Sequence, residues 1–239
     1  MDNNRLGEIR NLREQPTARA IPAEYDYQPS AAALEVDTAR VLRNTYMLLG
    51  MTVAFSALIA WFSMDAPRPH FLIVLAGFYG LLFGIHKTQN SSMSLVLTFA
   101  LTGFMGYTLG PIIGMFAGAG AMHIVANALT LTALTFVGLS AVVLVTRKDF
   151  SFLGSFLMVG ALVLIGAMLI GLFFDIAGLH LMISAGFTLF ASAAILYETS
   201  AIIHGGQRNY VLAAVGLYVS IYNLFLSLLS LLGAFSGDD

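Results

Sequence analysis

Residues 94–145 contain no Asp, Glu, Lys or Arg, and shorter uncharged runs recur along most of the chain. Runs of about 18 or more mostly apolar residues are typical of helices that cross a bilayer. The composition agrees, because 58% of the 239 residues are hydrophobic and 10% are charged, whereas soluble domains average roughly 45–50% apolar and about 25% charged residues. The sequence therefore predicts an all-α polytopic membrane protein and excludes a soluble globular domain.

Charged residues, together with a glycine-containing break near residues 118–120, divide the apolar part of the chain into seven blocks, which we predict to be seven transmembrane helices packed in a bundle. Each block has about 16 to 25 residues, enough at ~1.5 Å rise per residue for a core of about 30 Å; the second is the shortest. The glycines at 118 and 120 favour a turn inside the long uncharged stretch, and Pro111 is expected to kink or end the third helix. The predicted spans are residues 45–63, 71–86, 94–116, 122–145, 152–174, 179–203 and 211–233.

The Lys and Arg residues indicate the orientation of the bundle. With seven spans, ten of the 11 lie on the side of the N-terminus and only Arg68 lies on the other. Because positive residues stay in the cytoplasm, we expect the N-terminus inside and the C-terminus outside. Residues 1–43 are then a cytoplasmic tail, largely disordered because its charge is mixed and its apolar surface small, with a helical lead-in near Ala31. Residues 44–235 form the transmembrane domain, and residues 236–239 a short acidic end.

Several kinds of chemistry are excluded by what the sequence lacks. The formal charge of −2 leaves no basic surplus for nucleic acid, and the absence of cysteine removes thiol chemistry. No His spacing typical of a metal site and no phosphate-binding loop is present. Intramembrane proteolysis needs two facing carboxylates or a serine with a base in reach, and the predicted spans offer neither. We therefore expect no enzyme activity, no catalytic residue, no metal and no cofactor.

Glu198 is the only ionisable residue well inside a predicted span, about five residues or ~7.5 Å from its cytoplasmic end. An intramembrane carboxylate is costly unless it is protonated, paired or hydrated, which favours a functional role. The alternative is a side chain that reaches the interface along its flexible stem. His204, followed by Gly205 and Gly206, is placed to interact with the C-terminal dipole of the same helix.

Glycines at 106, 110, 114 and 118 repeat every four residues along the third span. Small residues at this spacing allow two helix backbones to approach closely. The stripe formed by Gly106, Gly110, Gly114 and Gly118 is therefore predicted to be a packing face within the bundle. The alternative is a face for sliding or for dimer formation, which would make the protein a homo-oligomer.

Four segments resemble the signature of the transmembrane Bax-inhibitor-motif family. They are residues 196–206 (LYETSAIIHGG), 217–225 (LYVSIYNLF), 102–112 (TGFMGYTLGPI) and 146–154 (TRKDFSFLG). The likeness covers about residues 40–235 and is greatest to the proteobacterial branch described as the modulator of the FtsH protease. The resemblance implies a seven-helix, multi-pass protein of the bacterial inner membrane, surrounded by the lipid bilayer. It also implies a regulator that binds a membrane-anchored, ATP-dependent protease of the FtsH type and restrains it.

The wider family implies an alternative function, a pH-sensitive calcium or cation leak channel. In such members a pair of acids bridges the last two helices, and by resemblance the two acids fall on Glu198 and Ser220. The second acid is thus missing here, and one acid makes a weaker divalent-cation site than two, which favours the regulator. The candidate intramembrane polar or gating residues are Glu198, Ser220, Asn223, Tyr218 and His204.

Overall fold

A computed structural model describes residues 31–174, 176 and 178–236. These residues form seven α-helices and no strand, which confirms the all-α class. Six helices are long and apolar enough to cross a membrane, and α2, with 17 residues, is shorter. The helices are α1 (Ala31–Phe62), α2 (Phe71–Lys87), α3 (Met93–Gly118), α4 (Met122–Thr146), α5 (Leu153–Phe173), α6 (Leu179–Ile203) and α7 (Tyr210–Phe235).

The helix bounds lie close to those of the predicted apolar blocks, except at the start of α1. This helix begins at Ala31, well before the first predicted span at residue 45, which confirms the helical lead-in predicted near Ala31 from the good helix propensity of the alanine-rich segment there. The seven-span count and the boundary of the tail at residue 43 stay predictions, and residues 1–30 and 237–239 lie outside the described part. By its contacts the chain divides after Leu34, and the helix bundle belongs to the unit Glu35–Asp239.

Pro111 lies inside α3, and the prediction that it could end the helix is wrong, since α3 continues to Gly118. A proline has no N–H, so the carbonyl group four residues earlier, on Tyr107, loses its helical partner. The Oγ atom of Ser63, from the turn after α1, lies 3.4 Å from this carbonyl oxygen, but the single hydrogen of this hydroxyl has a closer acceptor in the carbonyl oxygen of Ile59 at 2.8 Å. The break in the hydrogen-bond ladder of α3 therefore faces a polar atom of the neighbouring segment without a full replacement for the lost bond.

The helix α7 lies at the centre of the bundle and is the most buried of the six long helices, while α5 is the least buried. It packs most extensively against α6 and also contacts α4 and α3, and α2 packs on α3 and α5 on α6. Its buried side chains belong to all three hydrophobic core clusters. Polar side chains on α7 are thereby held against several helices at once.

Candidate functional site

Glu198 lies in a notch on α7, which we call the α6–α7 notch and define as Glu198, Gly216 and Ser220. The Ser220 hydroxyl donates a hydrogen bond to Oε2 of Glu198 at 3.2 Å. Gly216 lies one helical turn before Ser220, and a Cβ atom there would be 2.7 Å from Oε1 of Glu198. The missing side chain at position 216 therefore provides the space that the carboxylate occupies.

The notch brings together the two positions to which the family resemblance assigned an acid pair. In this chain the pair is one carboxylate and one hydroxyl, 3.2 Å apart. A hydroxyl donor satisfies part of the hydrogen-bonding capacity of the half-buried Glu198 carboxylate without a second charge. Across the described residues, no group of three or more His, Asp and Glu could hold a metal ion.

Asn223 shares α7 with the notch, but its hydrogen bond lies elsewhere. Its side-chain amide donates to the carbonyl oxygen of Val219 in the same helix at 3.0 Å. In turn, the Ser227 hydroxyl donates to the carbonyl oxygen of Asn223 at 2.7 Å. The Asn223 amide is therefore bonded along α7 rather than to Glu198.

Tyr218 points to the other side of α7, toward α1 and α3. Its hydroxyl lies 2.6 Å from Oγ of Ser56 and donates to the carbonyl oxygen of Thr102 at 3.3 Å. One turn later, the hydroxyl of Tyr222 lies 3.0 Å from Oγ1 of Thr108 on α3. The two tyrosines therefore join α7 to α1 and α3. Tyr222 was not among the predicted site residues, although it lies in the motif at residues 217–225.

The glycine stripe packs against α1 and the turn that follows it, a contact that we call the α1–α3 seam. A Cβ atom at Gly106 would meet the backbone carbonyl of Ser56, one at Gly110 the carbonyl of Ala60, and one at Gly114 the carbonyl of Met64. Gly118 differs, because nothing lies within 4 Å of the Cβ position. Three of the four glycines thus bring two backbones into direct contact.

His204 and Ser200, at the end of α6, bind the loop between α4 and α5. The Nε2 atom of His204 lies 3.1 Å from the carbonyl oxygen of Arg147, and Nδ1 lies 2.9 Å from that of Ser200. The backbone N–H of Phe150 donates to Oγ of Ser200 at 2.9 Å. His204 follows Glu198 by about six residues, or ~9 Å of helix rise, and therefore serves a contact separate from the notch.

Asp149 lies in the same loop and is exposed. Its Oδ1 atom accepts a hydrogen bond from the backbone N–H of Ser151 at 2.8 Å. This bond, the Ser151 hydroxyl and the nearby His204 ring hold the pKa of the Asp149 carboxyl below its usual range. Ser200 and Asp149 were not predicted as site residues, because only the folded chain brings residue 200 within reach of residue 150.

The helices, the apolar exterior and the buried polar contacts of α7 define a multi-pass membrane protein. The family model described as inhibitor of apoptosis-promoting Bax1 matches residues 38–237. The chain therefore belongs to the Bax-inhibitor family, as the sequence motifs indicated.

Bacterial relatives match most of the chain. An uncharacterized protein of Pseudomonas aeruginosa is 57% identical over 220 residues, covering 90% of this chain and 99% of the relative. A protein of Escherichia coli K12 named modulator of FtsH protease YccA is 51% identical over 205 residues, covering 85% of this chain and 94% of the relative. The counterpart in Escherichia coli O6:H1, with the same identity and coverage, is named inner membrane protein YccA. The chain is accordingly a multi-pass protein of the bacterial inner membrane.

Proposed function

We propose that this chain is a non-catalytic regulator that binds a membrane-anchored, ATP-dependent protease of the FtsH type and restrains its degradation of membrane proteins. The observation that carries the proposal is the 51% identity to the Escherichia coli modulator of FtsH protease over 94% of that relative. The match takes in 85% of this chain rather than one segment. The similarity on which the proposal rests therefore extends along most of the bundle and is not confined to one short motif.

The packing of the bundle suggests how this chain could bind the protease without being degraded by it. An unfolding protease must pull helices apart, and the α1–α3 seam joins two backbones at three glycines. Close backbone packing of small residues is a main source of helix association in lipid. The charged residues 1–30 lie outside the described part, and we propose from their sequence that they offer the protease an initiation arm.

The proposed orientation places that arm in the cytoplasm, with seven spans and the C-terminus outside. This orientation rests on the distribution of Lys and Arg. The helix α2 has 17 residues, about 25 Å, and a span this short is accommodated by local thinning of the bilayer or by flanking residues that reach the interface.

Reporter fusions test the orientation. We expect a cytoplasmic signal from a fusion after residue 90 and an external signal from a fusion after residue 236. A cytoplasmic C-terminus would contradict seven spans.

The binding itself is tested by crosslinking in native membranes followed by affinity isolation of the tagged chain. We expect the FtsH-type protease among the most enriched proteins, at least tenfold (about 1.4 kcal/mol of preference) above an unrelated multi-pass protein expressed at the same level. The variant Glu198→Gln, which keeps the size of the side chain, should retain this enrichment. Enrichment equal to that of the unrelated protein would contradict the proposal.

The α6–α7 notch favours a second candidate, a cation leak gated at Glu198. The supporting observation is that an intramembrane carboxylate faces the position of the second family acid, here Ser220. Calcium flux in proteoliposomes across a range of pH distinguishes the two functions. Robust flux that Glu198→Gln abolishes would make the leak primary, whereas a regulator should show little flux unless Ser220→Asp restores a two-acid cation site.

A further inference from the structure

A cleft of about 260 Å³ lies between α1 and α4, against the face of α7 that is opposite the α6–α7 notch. Its floor is formed by α3 and α7, with buried side chains that include Leu109, Ile113 and Phe225. Its two edges carry Trp61 on α1 and Leu129 on α4, which are 65% and 54% exposed. Both edge helices are long, apolar span candidates, so the cleft opens toward lipid.

The lining offers water and ions few partners. Ser56 and Tyr218 are bonded to each other at 2.6 Å, and the Thr132 hydroxyl donates to the carbonyl oxygen of Ala128 in its own helix at 2.7 Å. The Tyr222 hydroxyl is paired with Thr108 at 3.0 Å. Buried water needs two to four polar partners, whereas a cavity lined by apolar groups stays dry and accepts apolar ligands.

The dimensions of the cleft select a linear ligand. The residues of α1 and of the turn after it that line the cleft run from Val53 to Met64, a distance of roughly 16 Å at helical rise. A helix segment of that length, about 10–12 Å in diameter with its side chains, occupies roughly 1,300–1,800 Å³. The cleft volume of about 260 Å³ is too small for such a segment and leaves room for a narrower, linear apolar group.

We propose that this cleft binds one acyl chain of a membrane lipid, inserted between α1 and α4. An empty groove would forfeit dispersion contacts along its walls, and a chain from the surrounding bilayer restores them. The ligand is selected by its linear, apolar shape, and its headgroup lies at the end of the bundle where α1 ends and α4 begins. The site is distinct from the protease-binding role proposed above and does not depend on it.

Photolabelling tests the proposal because lipid reaches the floor of the cleft only by entering it. The full chain is reconstituted in vesicles of phosphatidylethanolamine and phosphatidylglycerol that contain phosphatidylethanolamine with a diazirine in its acyl chain. We expect adducts on Ile113 and Phe225 of the floor and on the buried lining residue Val125 of α4, which are 9%, 4% and 3% exposed. The residues Ile195 and Leu224, which are fully buried and do not line the cleft, should remain unlabelled.

A matched pair of variants on α1 separates the cleft from the general lipid surface. Ala57 is exposed at the edge of the cleft, and Ala54 is exposed on the same helix but does not line it. Ala57→Phe should reduce labelling of the floor about tenfold, since a site without spare room rejects added bulk, whereas Ala54→Phe should leave it unchanged. Both variants should still be labelled on exposed Leu134 and Val145 and keep the melting temperature of the wild type.

Two results would overturn the proposal. One is a photolabelling pattern in which only exposed residues carry adducts, or in which Ala57→Phe does not reduce the adducts on the floor. The other is evidence that water fills the cleft, which a single-cysteine variant detects because the chain has no cysteine of its own. Ala60→Cys places a thiol in the lining, and we expect a charged, membrane-impermeant thiol reagent to label it no faster than a cysteine introduced at Leu224. Rapid labelling would indicate water in place of an acyl chain.

Discussion

The α1–α3 seam and the α6–α7 notch both depend on glycine, but the two glycine sites accommodate different groups. At the seam, backbone carbonyls of the neighbouring segment occupy the space left by Gly106 and Gly114, and the Ser63 hydroxyl together with the backbone of Ala60 and Ser63 occupies the space left by Gly110. At the notch, the space left by Gly216 is filled by the carboxylate of Glu198, the end of a flexible side chain. A backbone can give way only if a helix moves, whereas a side chain can rotate. The seam is therefore a rigid structural contact, and the notch is adjustable.

The largest loss of stability is expected from substitutions in the seam. Gly110→Ala would place a Cβ atom against the carbonyl of Ala60, and we expect a cost of about 1–3 kcal/mol, increased when it is combined with Gly106→Ala. Thermal unfolding of purified protein in detergent measures the effect. Gly138→Ala is the matched control, because nothing lies within 4 Å of its Cβ position. Equal melting temperatures for the seam variants and this control would show that the backbones are not in close contact.

Removal of the Tyr218 hydroxyl should weaken the same region by a smaller amount. Tyr218→Phe leaves the buried Ser56 hydroxyl without its 2.6 Å partner, at a cost of about 1 kcal/mol. The double variant Ser56→Ala with Tyr218→Phe should recover part of the loss, because no hydroxyl is then left unpaired. Tyr79→Phe, at an exposed position on α2, serves as the control. A double variant as unstable as the sum of the single variants would argue against the bond.

At the notch, Gly216→Ala should cost less than a substitution in the seam. The Glu198 side chain can turn away from the new methyl group, so we expect a loss of about 0.5–1 kcal/mol, mainly from the broken bond to Ser220. The loss should disappear in a Glu198→Ala background, which gives a coupling of at least about 0.5 kcal/mol in a double-mutant cycle. A cost that persists without Glu198 would mean that Gly216 packs against a backbone, as the seam glycines do.

The smallest effect is expected outside both regions, at Asp149. A carboxyl whose pKa is lowered in the folded protein stabilises the fold above its unfolded pKa of about 3.9 and loses that contribution as the pH falls through the folded value. Asp149→Asn should therefore lower the melting temperature slightly at pH 7, and the two proteins should converge as the pH falls below the folded-state pKa of Asp149. A difference that grows on acidification would contradict the bond from the Ser151 N–H.

Much of the fold could be predicted because hydropathy sets the extent of membrane helices. The predicted block 179–203 coincides with α6 (Leu179–Ile203), and the block 122–145 differs by one residue from α4 (Met122–Thr146). The helical lead-in predicted near Ala31 is confirmed by the start of α1, since charged residues leave the membrane without ending the helix. The continuation of α3 past Pro111 gave no local signal, because the segment that packs against this part of α3 is remote in sequence.

The candidate site was predictable in part for the same reason. Glu198 attracts attention as a lone acid in an apolar run, and the motif placed Ser220 opposite it. The notch at Gly216 and the pairing of Tyr218 with Ser56 could not be predicted, since both contacts join different helices through single atoms. Asn223 was included because it lies in the motif, yet its amide bonds within α7.

The central claim, that the chain restrains a membrane protease by binding it, is tested in proteoliposomes that contain a purified FtsH-type protease, ATP and a labelled membrane substrate. We predict that adding the chain slows degradation of the substrate in proportion to occupancy, and that Glu198→Gln slows it equally because no ion flux is involved. A degradation rate that stays unchanged at saturating amounts of correctly folded chain would contradict the account.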